Sequence, residues 1–489
     1  MSNKKLKIYN TITKKKEYFK PISNKKVGMY VCGPTVYGEP HLGHARPAIT
    51  FDVVYRYLNH LGNKVRYVRN ITDVGHLVND SDEGEDKMQK QAQKEKIEPM
   101  EIANKYTNEY HKALRKLNCK DPSIEPRATG HIIEQIEMIK LIIKNGFGYE
   151  KNGSVYFDVN KYNKKYKYGE LSGRKIEKTL EGTRKLDKQE EKKNPYDFSL
   201  WKKANKNHIM KWPSPWSVGY PGWHLECSAM SNKYLGEQFD IHGGGSDLLF
   251  PHHEAEISQS NACFNKNSVK YWMHNNMITI EGQKMGKSLN NFITLNQFFE
   301  GEHKLLKQNF SPMTIRFFIL QAHYRSTLDF SNDALKASEK GLNKLFNSIE
   351  KIDKLKKSEK SSFNLEKIKN DFYEAVNDDF NTPVLFASIF DVVKKINLCQ
   401  EGKETISQKD KKELKDIMLL FIKDILGLKN KKNQKSNNFD KIMSTMITIR
   451  NHSRDNKNWE VSDLIREELK KLKINIKDTK DGTEWEYEN

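Results

Sequence analysis

Tyr30-Val-Cys-Gly-Pro-Thr-Val-Tyr-Gly-Glu-Pro-His-Leu-Gly-His-Ala-Arg-Pro47 is the stretch whose reading decides the fold. The apolar run that opens it, Val27 to Val31, reads as a buried strand. Gly33 to Pro40 is a Gly/Pro-rich turn, and from Arg46 onward Ile49, Val53, Val54, Tyr57 and Leu58 recur at helical spacing. Strand, glycine turn and helix point free backbone N–H groups and the positive end of a helix dipole at a phosphate. His41 and His44 stand three residues apart where the helix begins, so they share a face and reach one ligand. A turn of this kind is also ordinary surface punctuation, and the rest of the chain has to decide.

Outward from that turn, Lys64 to Asp73 alternates like a second strand with a polar tip. A parallel pair joined by a crossover helix begins a doubly wound sheet, whose ligands bind at the carboxyl ends of strands. Asn79 to Lys96 reads as a solvated helix and loop, His131 to Ile143 as an amphipathic helix, and Gly153 to Asp158 as a strand. Lys175 to Lys193 is a charged, nearly core-free connection. Phe239 to Gln259 repeats the strand, glycine turn and helix, with Pro251 expected in the first helical turn. Strand-like Met277-Ile-Thr-Ile280 leads to a polar loop holding Lys284-Met-Gly-Lys-Ser288. Beyond 331 the chain is helical, with Asp379-Phe-Asn-Thr-Pro383 as a helix start. Lys429 to Asn438 reads as a polar linker, followed by a helix around Val461 to Leu472 and strand-like Ile474-Asn-Ile476.

The expected fold is α/β: a Rossmann-like doubly wound parallel sheet split by an insertion, then an α-helical bundle and a small C-terminal α+β module. The expected boundaries are 1–116 and 218–285 for the two halves of the α/β domain and 117–217 for the insertion. A loop and connecting domain would span 286–330, the helical bundle 331–428, and the linker with its terminal module 429–489.

Lys+Arg 84 against Asp+Glu 64 gives a formal charge of +20, which suits a polyanionic partner, although Lys, Asn and Ile are abundant throughout. The five cysteines, at 32, 119, 227, 263 and 399, have no disulfide-scaffold spacing. No stretch approaches the roughly 20 apolar residues of a membrane span, and the Lys-rich start lacks an apolar signal core. The expectation is a cytoplasmic protein in a reducing compartment, without a membrane.

Cys32 ends the first strand, Cys227 lies in the returning half of the same sheet, and His252 and Glu256 are spaced to close on one ion. Strand ends in such a fold converge, so the four can meet; two thiolates, an imidazole and a carboxylate suit zinc. His253 competes with His252, and two buried apolar cysteines remain the alternative. Lys284 and Lys287 supply two mobile ammonium groups, suited to a leaving pyrophosphate.

Pro34-Thr-Val-Tyr followed by His41-Leu-Gly-His44 resembles the HIGH signature of class I aminoacyl-tRNA synthetases, and Lys284-Met-Gly-Lys-Ser288 their KMSKS loop. Cys32, Pro221-Gly-Trp-His-Leu-Glu-Cys-Ser-Ala-Met230, Gly243-Gly-Gly-Ser-Asp247 and Phe250-Pro-His-His-Glu-Ala-Glu256 together resemble the cysteinyl-tRNA synthetase family. The match runs from about residue 6 to the C-terminus and includes Asp378-Asp-Phe-Asn-Thr-Pro383.

The resemblance implies ATP-dependent activation of L-cysteine to cysteinyl adenylate, then transfer to the 3′ end of cysteine tRNA by a monomer. It implies one Zn²⁺ per chain, on Cys32, Cys227, His252 and Glu256, and ATP with Mg²⁺ as substrate. By analogy the first histidine of the pair, His252, is the ligand. Thr72, Trp223 and His242 would line the amino-acid pocket. His41, His44, Lys284 and Lys287 would serve catalysis, with Pro34, Gly43 and the same His44 and lysines on ATP. Leu42 and Gly286 depart from the signatures without removing a charged contact. Val74-Gly75-His76 departs from the acidic loop of other members, so no role is carried past Asp73. Two rivals are a ligase joining cysteine to an amino sugar, against which the long helical region speaks, and a silent tRNA-binding paralogue, against which the intact motifs speak.

Overall fold

The structure, a computed structural model, describes residues 5–75, 86–174, 191–206, 208–286, 289–430, 432–472, 474–479 and 482–487. Internal contacts divide the chain into two units, Met1–Leu428 and Lys429–Asn489.

The larger unit is centred on four parallel strands, β1 (Lys26–Val31), β2 (Lys64–Arg69), β3 (Phe239–Gly245) and β4 (Val269–Asn275), in the spatial order β4-β3-β1-β2. Met29 of β1 pairs with Tyr67 on one side and Ile241 on the other. With helices on its faces the sheet has no wet side, and so Val27, Met29, Tyr30 and Val31 are all buried, with side chains on both faces. The chain winds from β1 out to β2, then returns across β1 to β3 and out to β4. The winding reverses between β1 and β3, and at such a point a crevice opens beyond the strand ends.

Helix α1 (Leu42–His60) carries the chain from β1 to β2. It begins four residues before Arg46, because the side chain of His41 caps it. Phe51 lets α1 lie flat on the sheet only because position 243 is glycine: a Cβ there would stand 2.2 Å from the Phe51 ring. Two further helices matter to the site, α2 (Leu225–Leu235) and α3 (Glu254–Phe264). Pro251 precedes α3 rather than occupying its first turn; Leu249–His253 is an irregular turn in which Phe250 leaves helical geometry.

Between the sheet halves lies the amphipathic helix Ile132–Lys144 and a second, antiparallel sheet. Its strands Gly148–Lys151, Ser154–Phe157, Phe198–Lys203 and Gly219–Pro221 pair in sequence order. Most of the charged connection, residues 175–190, lies outside the described residues, as does 76–85 with His76.

Arg46 of α1 is buried and donates to main-chain oxygens, those of Met277 (2.6 Å), His323 and Tyr324 (3.3 Å each) and Ser326. Met277 adjoins strand Ile278–Ile280, which leads to Lys284, so one guanidinium ties α1 to the base of that loop. The 323–326 turn is held in turn by Asp379, whose buried carboxylate accepts from Tyr9 N–H (2.8 Å), Tyr324 OH (2.7 Å) and Arg325 Nε (2.8 Å). Two residues on, the Asn381 side chain caps Thr382–Gln400, with Pro383 in its first turn, as expected. This helix packs with Asn332–Ile352 and Leu365–Asn377, and Gln408–Leu419 packs against those two.

The smaller unit has helices Lys432–Asp455 and Trp459–Lys471 and a hairpin of Ile474–Thr479 with Gly482–Tyr487. Its core is Met443, Ile465, Leu469, Ile474 and Ile476. Residues 432–438, expected to be linker, are helical: no glycine or proline lies between 429 and 455 to stop the turns. Among the described residues no helix is long and apolar enough to cross a membrane.

Candidate active site

A cavity of about 200 Å³ opens at the reversal point, bounded by the ends of β1, β2 and β3 and the first turns of α1 and α2. Cys32, Pro34, Gly43, His44, Thr72, Trp223, Cys227 and His252 all line it.

At the end formed by the start of α1, the Gly43 N–H donates to His41 Nδ1 (3.1 Å) and the His41 N–H to His44 Nδ1 (3.3 Å). The rings lie 3.9 Å apart, centroid to centroid. With each Nδ1 accepting, the proton of a neutral ring sits on Nε2, a donor for an anionic oxygen. Burial pushes the His44 pKa down to about 4, so this ring is neutral at physiological pH. The segment after the lysine loop braces the turn: Leu295 N–H donates to Pro40 O (2.8 Å) and Phe292 stands edge-on to His41. Lys284 is exposed at the end of the short strand Gln283–Lys284, and Asn291 secures that loop through Lys284 O and Gly286 N–H. Lys287 lies outside the described residues.

At the other end the sulfur atoms of Cys32 and Cys227 are 3.6 Å apart. Cys32 follows β1 as expected, but Cys227 stands in the first turn of α2 rather than at a strand end. There the helix dipole favours a thiolate. Burial would raise the Cys227 pKa, yet it is lowered, because the Cys32 thiol donates to it and His252 faces it. Glu256 Oε1 lies 3.1 Å from His252 Nε2 and 3.7 Å from Cys32 Sγ. Burial likewise opposes the Glu256 charge, but His242 and then His252 hold its pKa down to about 2.

Donor atoms of Cys32, His252, His253 and Glu256 lie within 4.8 Å of one another. In tetrahedral coordination with Zn–S near 2.3 Å, two sulfurs stand about 3.8 Å apart. The observed 3.6 Å fits, and so does the mixed sulfur, nitrogen and oxygen donor set.

The histidine pair is packed more deeply than the spacing disclosed. His252 lines the cavity beside Trp223, ring centroids 4.8 Å apart, and its Nδ1 is 3.1 Å from His224 Nδ1. His253 faces Cys32 through Nε2 (3.3 Å) and His274 through Nδ1 (2.7 Å). Burial among other imidazoles drives its pKa well below the ordinary value.

His242, expected in the amino-acid pocket, is not among the cavity's lining residues. It is buried on β3, stacked on Trp272 at 4.4 Å, and its Nε2 meets Glu256 Oε2 at 2.9 Å. Alternation along β3 turns this side chain toward α3, so it orients the carboxylate. Thr72 lines the cavity while its hydroxyl donates to Glu226 (2.8 Å).

Reading by motif missed Asn70, Arg69 and Glu226. Asn70 Oδ1 accepts from Gly33 N–H (2.9 Å) and lies 3.7 Å from Cys227 Sγ. The signal for Arg69 and Asn70 was the polar tip of β2, Arg69-Asn-Ile-Thr72, at a strand end where ligands bind.

The family described as tRNA synthetases class I (C) catalytic domain matches residues 18–340, and the DALR domain family matches residues 371–430. The cysteine–tRNA ligase of Bacteroides thetaiotaomicron is 59% identical over 485 residues, covering 98% of each chain. That of Porphyromonas gingivalis is 56% identical, covering 98% of this chain and 99% of the relative. Among solved structures, a Mycobacterium tuberculosis methionyl-tRNA synthetase bound to methionyl-adenylate shares the fold at TM-score 0.58 and 13% identity. It covers 82% of this chain and 92% of its own.

Proposed function

The chain belongs to the cysteine–tRNA ligases of class I, and on that premise we propose how its cleft works. It activates L-cysteine with ATP and passes the cysteinyl group to cysteine tRNA, which places it with the translation machinery in the cytoplasm. The observation that carries the reading is a single cavity that touches both the His41–His44 turn and the sulfur cluster.

Cys32, Cys227, His252 and Glu256 would hold a zinc ion, a reading supported by their spacing and donor chemistry. When bound, the ion would supply a soft Lewis-acid centre that favours a thiolate ligand over a hydroxyl. His252 is preferred to His253 because it lines the cavity, whereas His253 is engaged behind it by His274. Thr72 and Trp223 wall the cysteine, and His242 acts through Glu256 as a positioning residue.

In the first step a carboxylate oxygen of cysteine attacks the α-phosphorus of ATP–Mg²⁺. The bond to the β-phosphate breaks, and pyrophosphate leaves with its electron pair. His41 and His44 meet developing charge through their Nε2–H donors, with Pro34, Gly43 and the start of α1 shaping the phosphate seat. Lys284 and Lys287 reach the leaving pyrophosphate. In the second step a terminal ribose hydroxyl of the tRNA attacks the cysteinyl carbonyl and AMP leaves. Neither step needs a protein nucleophile, so positioning and charge stabilisation supply the rate. The insertion at 117–217 serves the acceptor end, and the region from 331 onward the anticodon side.

Cysteine-dependent exchange of pyrophosphate into ATP without tRNA, followed by charging of a cysteine tRNA transcript, tests the reading. Both activities are expected. Exchange driven by another amino acid in preference to cysteine would refute it.

A further inference from the structure

Arg69 is the single lysine or arginine among the described residues that line the active-site cavity. It ends β2, is 2% exposed, and is held rigidly. Its Nη2 and Nε both donate to Glu125 Oε1, at 2.8 and 3.3 Å, and the other oxygen of Glu125 meets His111 Nε2 at 2.5 Å. The guanidinium lies over the Tyr110 ring at 5.2 Å, and that ring stands edge-on to His44. Tyr110 and His44 are themselves cavity walls, as is Asn70, the neighbour that reaches toward Cys227. Arg69 therefore sits in the wall that joins the histidine turn to the sulfur cluster.

The chemistry of activation needs a cation there. A carboxylate must approach a phosphate, two anions brought within bonding distance, and the attacked phosphorus then gains charge. His44 is neutral, and Lys284 is exposed on its loop. A buried guanidinium that walls the cavity and is fixed through Nε and Nη2 by Glu125 is suited to that task.

We propose that Arg69 binds an anionic oxygen of the activation substrates, either the carboxylate of cysteine or the α-phosphate that it attacks, with Glu125 and His111 as its positioning residues. The proposal rests on the reading of the site as a cysteine-activating centre. Arg69 touches substrate in this scheme and is thus part of the binding machinery, distinct from the metal ligands and from the histidine and lysine motifs.

Ligand pairs that differ by one anion test it. Cysteine is compared with cysteamine, which keeps thiol and amine but lacks the carboxylate, and AMP with adenosine. Binding of each to the zinc-loaded full chain is measured calorimetrically for native protein, Arg69→Gln, Arg69→Lys and Glu125→Gln, with zinc content and melting temperature recorded. In Arg69→Gln the anionic member of one pair should weaken by roughly 10- to 100-fold, with its neutral partner nearly unchanged. Loss on cysteine alone assigns the carboxylate, and loss on AMP alone the phosphate. Glu125→Gln should give a smaller loss of the same selectivity. Should Arg69→Gln fail to fold, Arg69→Lys and Glu125→Gln carry the same comparison. Equal weakening within both pairs, or no change in either, would overturn the proposal and leave Arg69 as a wall support. Failure of the native protein to bind cysteine would instead count against the site reading itself.

Discussion

Gly43→Ala tests the capped histidine turn. A Cβ at Gly43 would stand 2.8 Å from His41 Cε1 and 2.9 Å from His41 Nδ1. Carbon atoms rest at about 3.5–4.0 Å, so the ring must retreat by roughly 1 Å. Retreat breaks the bond from Gly43 N–H to His41 Nδ1 and unstacks His41 from His44. Loss of a helix cap costs about 1 kcal/mol of stability, which a protein of this size tolerates. Its effect on chemistry is larger, because a misplacement of about 1 Å in a reacting constellation slows reaction roughly 10²-fold. Single-turnover formation of cysteinyl adenylate measures that step apart from cysteine binding, which should hold within a factor of about 3 because the sulfur cluster is untouched. Gly38→Ala is the control: it lies in the same turn, yet a Cβ there meets nothing within 4 Å, so its rate should match the native one. Equal rates for Gly43→Ala and the native enzyme would refute the argument that His41 must be capped in place.

Four further outcomes are expected. Elemental analysis of protein purified without added metal should find one zinc per chain, and native enzyme should show negligible serine-dependent pyrophosphate exchange, which Cys227→Ser raises; ready activation of serine by native enzyme would be incompatible with selection at the metal. Asp379→Asn keeps the side-chain shape but turns an amide toward Arg325 Nε, and should cost about 2 kcal/mol in urea unfolding, moderated by screening because Arg325 is 32% exposed; an unchanged midpoint would discount that tie. For His44, NMR titration should show no ring protonation from pH 7.5 down to 5.5. Its folded pKa of about 4 lies below the ordinary 6.5, so the unfolded chain takes up this proton first and stability falls as pH drops from 6.5 toward 4.

Short-range motifs were the most legible part of the site. Cys32, the His41–His44 turn and the His252–Glu256 spacing lie in segments whose local geometry is set by a few neighbours, and the structure brings Cys227 to them. What escaped was set by distant partners. Arg69 and Glu125 are 56 residues apart, and no local pattern marks them as a pair. The role of His242 depended on which face of β3 it takes, a choice made by α3 packing above it. Cys227 was expected at a strand end because its segment returns to the sheet, but the motif Trp223-His-Leu-Glu-Cys227 instead opens a helix. In the smaller unit, Lys/Asn composition masked a helix that begins at Lys432, ahead of the apolar positions Ile442 to Ile449. The four-strand winding was readable because the strand–turn–helix pattern occurs twice, once on each side of the insertion.

The two sulfur atoms that nearly touch across the cavity are separated by 195 positions along the chain. During synthesis at roughly 5–20 residues per second, Cys32 therefore leaves the ribosome about 10–40 s before Cys227 does. For most of that interval, once Lys64–Arg69 has followed, β1 has one of its two final neighbours, β2, while β3 has yet to be made. The nascent protein must carry an unpartnered thiol through the making of the whole insertion, and the cluster around it closes only once Glu256 has emerged.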